Sequence, residues 1–320
     1  MNQLPPNAFP VRGHDPAAWS SWHLHLSSYA QSVYDRVVRD VIRPTVADNP
    51  DCAWFFLRYL RGGPHLRLRF HRLPSAAIAV TEERLRERLA TAGVLRGDEE
   101  VVSEAAHRRQ TTLQARTDTV GVAPEASGGP LPAGVYRTAY VPEYTRYGGY
   151  RLMSLSERLF TVSSALVLDY LRRTRDRQER MAMALRASAC AALTLADRDE
   201  AAALFVRDSA VWRRWLVSYG HQEAEVQRWA HAARSAALAE PQARALLAAP
   251  HSGPLTSWHA ACSESVAAWR QVPDVAAVRV LSSHLHMLYN RLGLGPVDEM
   301  RVHSALAACF QEVSVRGTHP

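Results

Sequence analysis

The sequence predicts an α+β protein, with a mainly antiparallel sheet region in the N-terminal half followed by a helical C-terminal half. Three observations predict it. Runs with strand-type alternation crowd into residues 19–71; the clearest is His65–His71, where Leu66, Leu68 and Phe70 alternate with His65, Arg67, Arg69 and His71. Arg61-Gly62-Gly63-Pro64 separates that run from Trp54–Leu60 and carries the turn chemistry of a hairpin. From Ser154 onward apolar residues recur at helical spacing, punctuated by Gly and Pro.

Taken in order, Trp22–Leu26 alternates as a strand. Val33, Val37 and Val41 then mark a helix that Pro44 is expected to close, because proline lacks the amide a continuing helix needs. The hairpin over 54–71 follows. Residues 95–135 are expected to form a long loop, with Gly121, Pro124, Gly128, Gly129, Pro130 and Pro132 in the tract Thr117–Ala133. Loops of that length tend to be functional or disordered. Ser154 and Glu157 match a capping box ahead of Leu155, Leu159, Val162 and Leu166. Further helices are expected near 176–195, 199–217, 222–247, 257–270, 274–292 and 297–314. The expected division is a sheet-containing region over 1–150 and a helical region over 151–320, sharing one core and forming the active-site cleft between them. No repeat of fixed period is visible.

Composition limits the chemistry. The 320 residues are 47% apolar and 22% charged, enough to bury a sizeable core. All 38 Lys+Arg positions are arginine. The absence of lysine excludes Schiff-base catalysis, a lysine-anchored pyridoxal phosphate and a Walker-type P-loop. Cys52, Cys190, Cys262 and Cys309 form no Cys-x-x-Cys, which argues against a disulfide framework or a cysteine zinc site and fits reduced thiols in a cytoplasm. The start lacks the basic-then-apolar order of a signal peptide, and no run approaches the ~18 apolar residues of a membrane span. The expected location is therefore cytoplasmic, with no membrane partner. The net charge of +7 is spread along the chain, which reads as a solvated surface and argues against a nucleic-acid partner.

Three clusters could carry chemistry. Arg67 and Arg69 stand two apart on a strand and so share a face, where like charges repel unless an anion or carboxylate lies between them. The alternative is a solvated strand face. In Tyr140–Gly149, Glu143 and Arg146 precede Tyr147 and a Gly148-Gly149 turn able to hold them at a pocket lip, or to serve as an ordinary strand exit. In Ser282–Leu292, Ser283, His286, Tyr289 and Asn290 fall broadly on one helical face, and a polar face in an apolar helix needs buried partners or a ligand.

Other constellations are weaker. His23 and His25 could share a strand face, but no carboxylate stands near them at ligand spacing. His284 and His286 are two apart on a helix and diverge. No metal site is expected. Gly-x-Ser-x-Gly is absent, which removes the nucleophile elbow of a serine hydrolase. The pairs Trp212/Trp215 and Trp258/Trp269 read as helix packing.

Together, WHLHL (22–26), WFFLRYLRGGPHLRLRF (54–70), YVPEYTRYGG (140–149), SLSERLFTVSSALVL (154–168) and SSHLHMLYNRLGL (282–294) resemble the C-terminal elimination domain of lantibiotic dehydratases, in its free-standing form from thiopeptide-type biosynthesis. The resemblance spans nearly the whole chain, although residues 175–275 match only in character. It implies a site built from Arg67, Arg69, Glu143, Arg146 and His286. In elimination enzymes of that family, a glutamyl ester on a peptide Ser or Thr is expelled as glutamate, leaving a dehydroamino acid. Arginines suit the leaving carboxylate through bidentate pairing, and an imidazole can move the proton.

The same fold serves pyridine synthases, which join two dehydroalanines in a formal [4+2] aza-cycloaddition and then expel water and the leader peptide. Neither reaction needs a metal or organic cofactor. Three departures favour the pyridine synthase: the turn reads Arg-Gly-Gly-Pro-His where an Asp-Pro type turn is expected; the spacer from Phe70 to Tyr140 is long; and Tyr289 adds a phenol to the helix face. Retention of the elimination residues favours glutamate elimination. A non-catalytic homologue that binds the precursor peptide is a third reading. The implied partners are a precursor peptide with its leader and other enzymes of the same pathway.

Overall fold

The computed structural model describes residues 14–108, 129–173, 176–239 and 253–317. The chain divides into two compact units, Met1–Glu143 with Leu168–Arg172, and Tyr144–Val167 with Arg173–Pro320.

The first unit is built on a four-stranded antiparallel sheet of β1 (Trp19–His25), β2 (Trp54–Tyr59), β3 (His65–His71) and β4 (Gly134–Thr138), in the order β2-β3-β1-β4. The alternation in β1 and β3 decides the register. Leu24 lies opposite Leu66 and Trp22 opposite Leu68, while His25 faces His65 and His23 faces Arg67. Trp22, Leu24, Phe56, Leu66, Leu68 and Phe70 on one sheet face are fully buried, each contributing roughly 1.5–3 kcal/mol of transfer free energy. Two polar ties fix the helices over that face: Trp22 Nε1 donates to Glu82 at 3.1 Å, and Arg58 donates to Asp35 at 2.9 Å. Those helices are α1 (Gln31–Val37) and α3 (Ser75–Ala92), which buries Thr81, Leu85, Leu89 and Ala92; α2 (Arg43–Ala47) joins α3, where Arg88 donates to Thr45 Oγ1 at 2.8 Å.

Pro44 does not close the first helix. The chain continues from α1 through a π-helical segment, Val38–Ile42, into α2, where Pro44 takes one of the first two positions. The wider turn accommodates a residue without an N–H, and Thr45 Oγ1 donates to the Val41 carbonyl at 2.7 Å. The long-loop expectation is also revised: β4 begins at Gly134, inside the stretch read as loop, and residues 104–108 are helical. Most of Thr117–Ala133 lies outside the described residues.

The second unit is helical. Two 3₁₀ turns, Tyr144–Tyr147 and Tyr150–Leu152, lead into α4 (Met153–Arg173), whose last residues group with the first unit. Ser154 sits inside α4, so the expected capping box does not form. The 3₁₀ turn that runs directly into the helix takes the place of a cap. Then come α5 (Arg177–Ala192), α6 (Arg198–Ser218), α7 (Glu223–Ala239), α8 (Thr256–Arg270), α9 (Ala277–Leu292) and α10 (Pro296–Gly317). The expected extension of α7 to 247 falls outside the described residues.

Leu216, Val226, Ala230 and Met300 form an apolar cluster joined by Trp212, Trp215 and Trp229. Trp258 and Trp269 are fully buried, and Trp258 Nε1 donates to the Ala187 carbonyl at 2.9 Å. Gly293 ends α9 at φ 74°, the left-handed conformation that glycine adopts without a Cβ penalty. Arg180 donates to the Leu292 carbonyl at 3.1 Å, satisfying a helix-terminal acceptor in the interior. Among the described residues, no helix is long and apolar enough to cross a membrane.

Candidate functional site

Because the sheet's apolar residues are committed to one face, the alternate residues of four strands converge on the other. Tyr59 of β2 lies opposite His65 of β3, which lies opposite His25 of β1; Arg67 faces His23, and His23 faces Tyr136 of β4. Arg67 is half-buried. Its guanidinium lies over the Tyr59 ring, 3.5 Å from the centroid, and its Nε donates to His65 Nε2 at 3.2 Å. His65 is fixed in turn by the 3.0 Å bond between its Nδ1 and the Gly63 carbonyl, which sits in the hairpin turn. Since Nδ1 carries the proton that this carbonyl accepts, Nε2 is left as the acceptor for Arg67. Arg69 is buried, its guanidinium 4.4 Å from the Tyr140 ring centroid and 5.2 Å from that of Phe55. The side-by-side guanidiniums expected from sequence are thus each held on aromatic rings.

The imidazoles beside Arg67 are kept uncharged. Burial, and then the neighbouring guanidinium, push His25 down to about 4 and His23 to about 2; burial likewise takes His65 to about 3. Candidate ligand atoms of His23, His25 and His65 all lie within 4.8 Å of one another, a grouping the sequence hid because His65 comes from another strand. A metal would need their lone pairs to converge, with nitrogens about 3.3 Å apart around a tetrahedral ion. Instead the rings stack: His25 on His65 at 4.4 Å and 17°, and His23 on His65 at 4.8 Å and 28°. Stacked rings aim their lone pairs alongside one another, and the His65 acceptor already takes the Arg67 proton. The group fits a guanidinium partner better than a metal ion.

In the second unit, Tyr144–Gly149 makes a tight turn closed by the Gly149 N–H on the Tyr144 carbonyl at 2.7 Å. Gly148 and Gly149 have φ of 89° and 85°. A Cβ on Gly148 would stand 3.3 Å from Leu152 and 3.4 Å from Trp269, so the glycine is needed for close approach as well as conformation. The turn carries Arg146, which is exposed, with its guanidinium 5.7 Å from the buried Tyr147 ring. Glu143, also exposed, closes the main segment of the first unit.

The polar residues of α9 part company. His284 is buried against Tyr147, Phe160 and Trp269, stacked on the last at 5.4 Å. Burial foremost, then Arg291 and Arg146, hold it neutral well below its ordinary range. His286 is one-third exposed; Trp212 lies 5.4 Å away, and its Nδ1 meets Glu299 Oε2 of α10 at 2.9 Å. Ser283 is half-buried and donates to the Arg279 carbonyl at 3.2 Å. Asn290 is also half-buried. Tyr289, in contrast, is fully buried: its hydroxyl is 2.6 Å from Ser188 Oγ, and its ring packs 5.4 Å from His303. Ser283 and His286 therefore share a partly open side of α9, and Tyr289 belongs to the helical interior.

Sequence reasoning missed Glu299, His303, His65 and Tyr59 as members of these clusters. For His65 the signal is the strand alternation that puts it on the face of Arg67 and Arg69; for Tyr59 it is hairpin register, once the turn is placed. Glu299 reads only as an acidic residue in the first turn of a helix.

The sequence profile described as lantibiotic biosynthesis dehydratase C-term matches residues 19–310. Among solved structures, the pyridine synthase TbtD from thiomuracin biosynthesis superposes with a TM-score of 0.72 at 15% identity, covering 93% of this chain and 99% of that one. The protein TsrL gives 0.59 at 20% identity, covering 94% of this chain and 99% of that one. The tRNA-dependent lantibiotic dehydratase MibB from Microbispora sp. 107891 gives 0.57 at 22% identity over 96% of this chain, which spans 29% of that dehydratase. At these identities the likeness concerns the fold. Among curated proteins, no sequence matches the chain.

Proposed function

Because the chain belongs to the lantibiotic biosynthesis dehydratase C-terminal family, we propose that it is a tailoring enzyme of ribosomally made peptides that closes a pyridine macrocycle from two dehydroalanines. One dehydroalanine, as the imidic-acid tautomer of its amide, adds across the alkene of the other in a formal [4+2] aza-cycloaddition. Loss of water and then of the leader peptide, as its C-terminal amide, makes the ring aromatic. The observation that carries the reading is the sheet face around Arg67. A guanidinium anchored through its Nε and its aromatic platform sets a fixed positive charge among uncharged imidazoles, which suits the oxygen of a peptide amide as it takes on imidic-acid character. Similarity in fold to a pyridine synthase over nearly the full length of both chains supports it.

His286 is the acid/base group of this proposal, with Ser283 beside it; Arg69, Glu143 and Arg146 orient the peptide. Tyr289 supports α9 from within. The substrate is a precursor peptide bearing a leader, delivered by enzymes of the same pathway, and the setting is the cytoplasm. A second reading, glutamate elimination from glutamylated Ser or Thr, is favoured by the presence of Arg67, Arg69, Glu143, Arg146 and His286 together.

Mass spectrometry on two peptides separates the readings. One carries a leader and two dehydroalanines, the other a glutamylated serine. Release of leader amide with a macrocycle absorbing as a substituted pyridine is the expected result, and it should vanish in Arg67→Ala and His286→Ala. Loss of glutamate from the second peptide, with the first untouched, makes the chain an eliminating lyase. Binding of both peptides without change to either points to a non-catalytic homologue.

A further inference from the structure

We infer that Glu299 is a positioning residue for His286, fixing the imidazole tautomer and orientation in which its Nε2 exchanges the proton of the reaction. The inference rests on the proposed acid/base role of His286. It starts from a geometry that the sequence does not display: α9 and α10 bring Glu299 Oε2 to 2.9 Å from His286 Nδ1. The carboxylate side chain is 4% exposed, whereas the imidazole is 33% exposed. One partner is thus locked in the interior while the other keeps an open side, the division expected of an orienting group and a reacting group. Trp212 from α6 packs at 5.4 Å and 35° to the imidazole, restricting its rotation.

An ionised carboxylate only accepts hydrogen bonds, so the proton of this pair resides on Nδ1 and the lone pair on Nε2. In the proposed cyclisation, Nε2 takes the amide N–H proton, leaving an imidate and an imidazolium whose charge Glu299 offsets. The imidazolium then returns that proton from Nε2 to the imidate oxygen, completing the imidic acid that enters the cycloaddition. One proton enters and one leaves, and no oxidant or reductant is involved. Behind the pair the interior stays polar and ordered. His303, one helical turn beyond Glu299, is buried against the Tyr289 ring, and Tyr289 bonds Ser188. Ser282 donates to the buried Asp208 at 2.6 Å. These contacts hold α6, α9 and α10 in the arrangement that presents Glu299 to His286.

The alternative is an ion pair that ties α9 to α10 with no part in proton transfer, and the test reads quantities such a tie would not move. Using the full chain and the leader-bearing didehydroalanine peptide, Glu299→Leu removes the acceptor while filling its volume, and Glu299→Asp keeps a carboxylate one methylene shorter. The expected result is a fall in kcat of about 100-fold or more in Glu299→Leu, with KM within about twofold of wild type and partial recovery in Glu299→Asp. Two-bond ¹H–¹⁵N correlation spectra of the histidines should place the proton of wild-type His286 on Nδ1, and lose that preference in Glu299→Leu. An Nε2–H tautomer in the wild type overturns the inference even if no variant folds. If His286→Ala abolishes turnover and Glu299→Leu leaves kcat at the wild-type value, the pair is structural. If His286→Ala itself turns over normally, the functional reading of the site falls instead.

Discussion

Replacing Glu99 by glutamine removes a charge from a pair that the first unit buries almost completely, both side chains being 6% exposed. The carboxylate takes Arg36 in a two-pronged grip, Nη1–Oε1 at 2.8 Å and Nη2–Oε2 at 2.7 Å, and also accepts from Ser32 Oγ and the Arg96 amide. Arg36 uses its other donors to cap the end of α3, on the carbonyls of Ala92 at 2.6 Å and Val94 at 2.8 Å. These bonds, that from Arg36 first, hold the Glu99 carboxyl down from 4.5 to about 2. At about 1.4 kcal/mol per tenfold change in proton affinity, the depression corresponds to roughly 3 kcal/mol of stability at neutral pH. Leaving a buried guanidinium unpaired independently suggests about 3–5 kcal/mol.

The sign follows from the direction of the shift. A lowered folded-state value means that the contribution is complete above pH 4.5 and drains away as pH falls toward 2. Urea unfolding followed by circular dichroism at pH 7, 5, 4 and 3 should therefore show Glu99→Gln less stable by about 3 kcal/mol at the first two values, with the gap closing at the lower two. A gap below about 0.5 kcal/mol at pH 7, or one unchanged at pH 3, refutes the reasoning, because surface-like behaviour is what an exposed pair would give.

The histidine face should add its own pH dependence. Between pH 6.5 and about 4 the unfolded chain binds protons that His23, His25 and His65 refuse when folded, so stability rises with pH there. The slope of Tm against pH across that window should flatten in His25→Leu; an unchanged slope would show that His25 is solvated. Gly148→Ala forces a Cβ at φ 89° to within 3.3 Å of Leu152 and should lower stability by about 1–2 kcal/mol in thermal melts; an unshifted melt would mean the turn relaxes freely. Arg67→Lys keeps the charge but loses the planar contact with Tyr59 and the Nε donor to His65. Product formation should drop at least about tenfold, and wild-type turnover would show that charge alone suffices.

Much of the fold was legible because it is written in local pattern. The alternation of His65–His71 and the Gly62-Gly63 turn specify a hairpin whatever surrounds them, and Gly293 marks a helix end through its own backbone. Reading Pro44 as a stop failed because a neighbouring π turn removed the conflict, which depends on packing rather than on proline. The Ser154 capping box failed for a related reason: a preceding 3₁₀ turn runs straight into the helix, and nothing in Ser-x-x-Glu distinguishes a first residue from a second.

By itself the sequence determined which residues share a strand or a helix and therefore that Arg67 and Arg69 stand on one face, since side-chain direction follows from a fixed local period. Only tertiary structure decided what those side chains meet. Strand register placed Tyr59 of β2 and His23 of β1 beside Arg67. The packing of α9 on its neighbours sent Tyr289 to Ser188 in the interior and His286 to Glu299 at a partly open edge. Such pairings join residues on separate strands or helices, and their burial comes from elements that no local periodicity encodes.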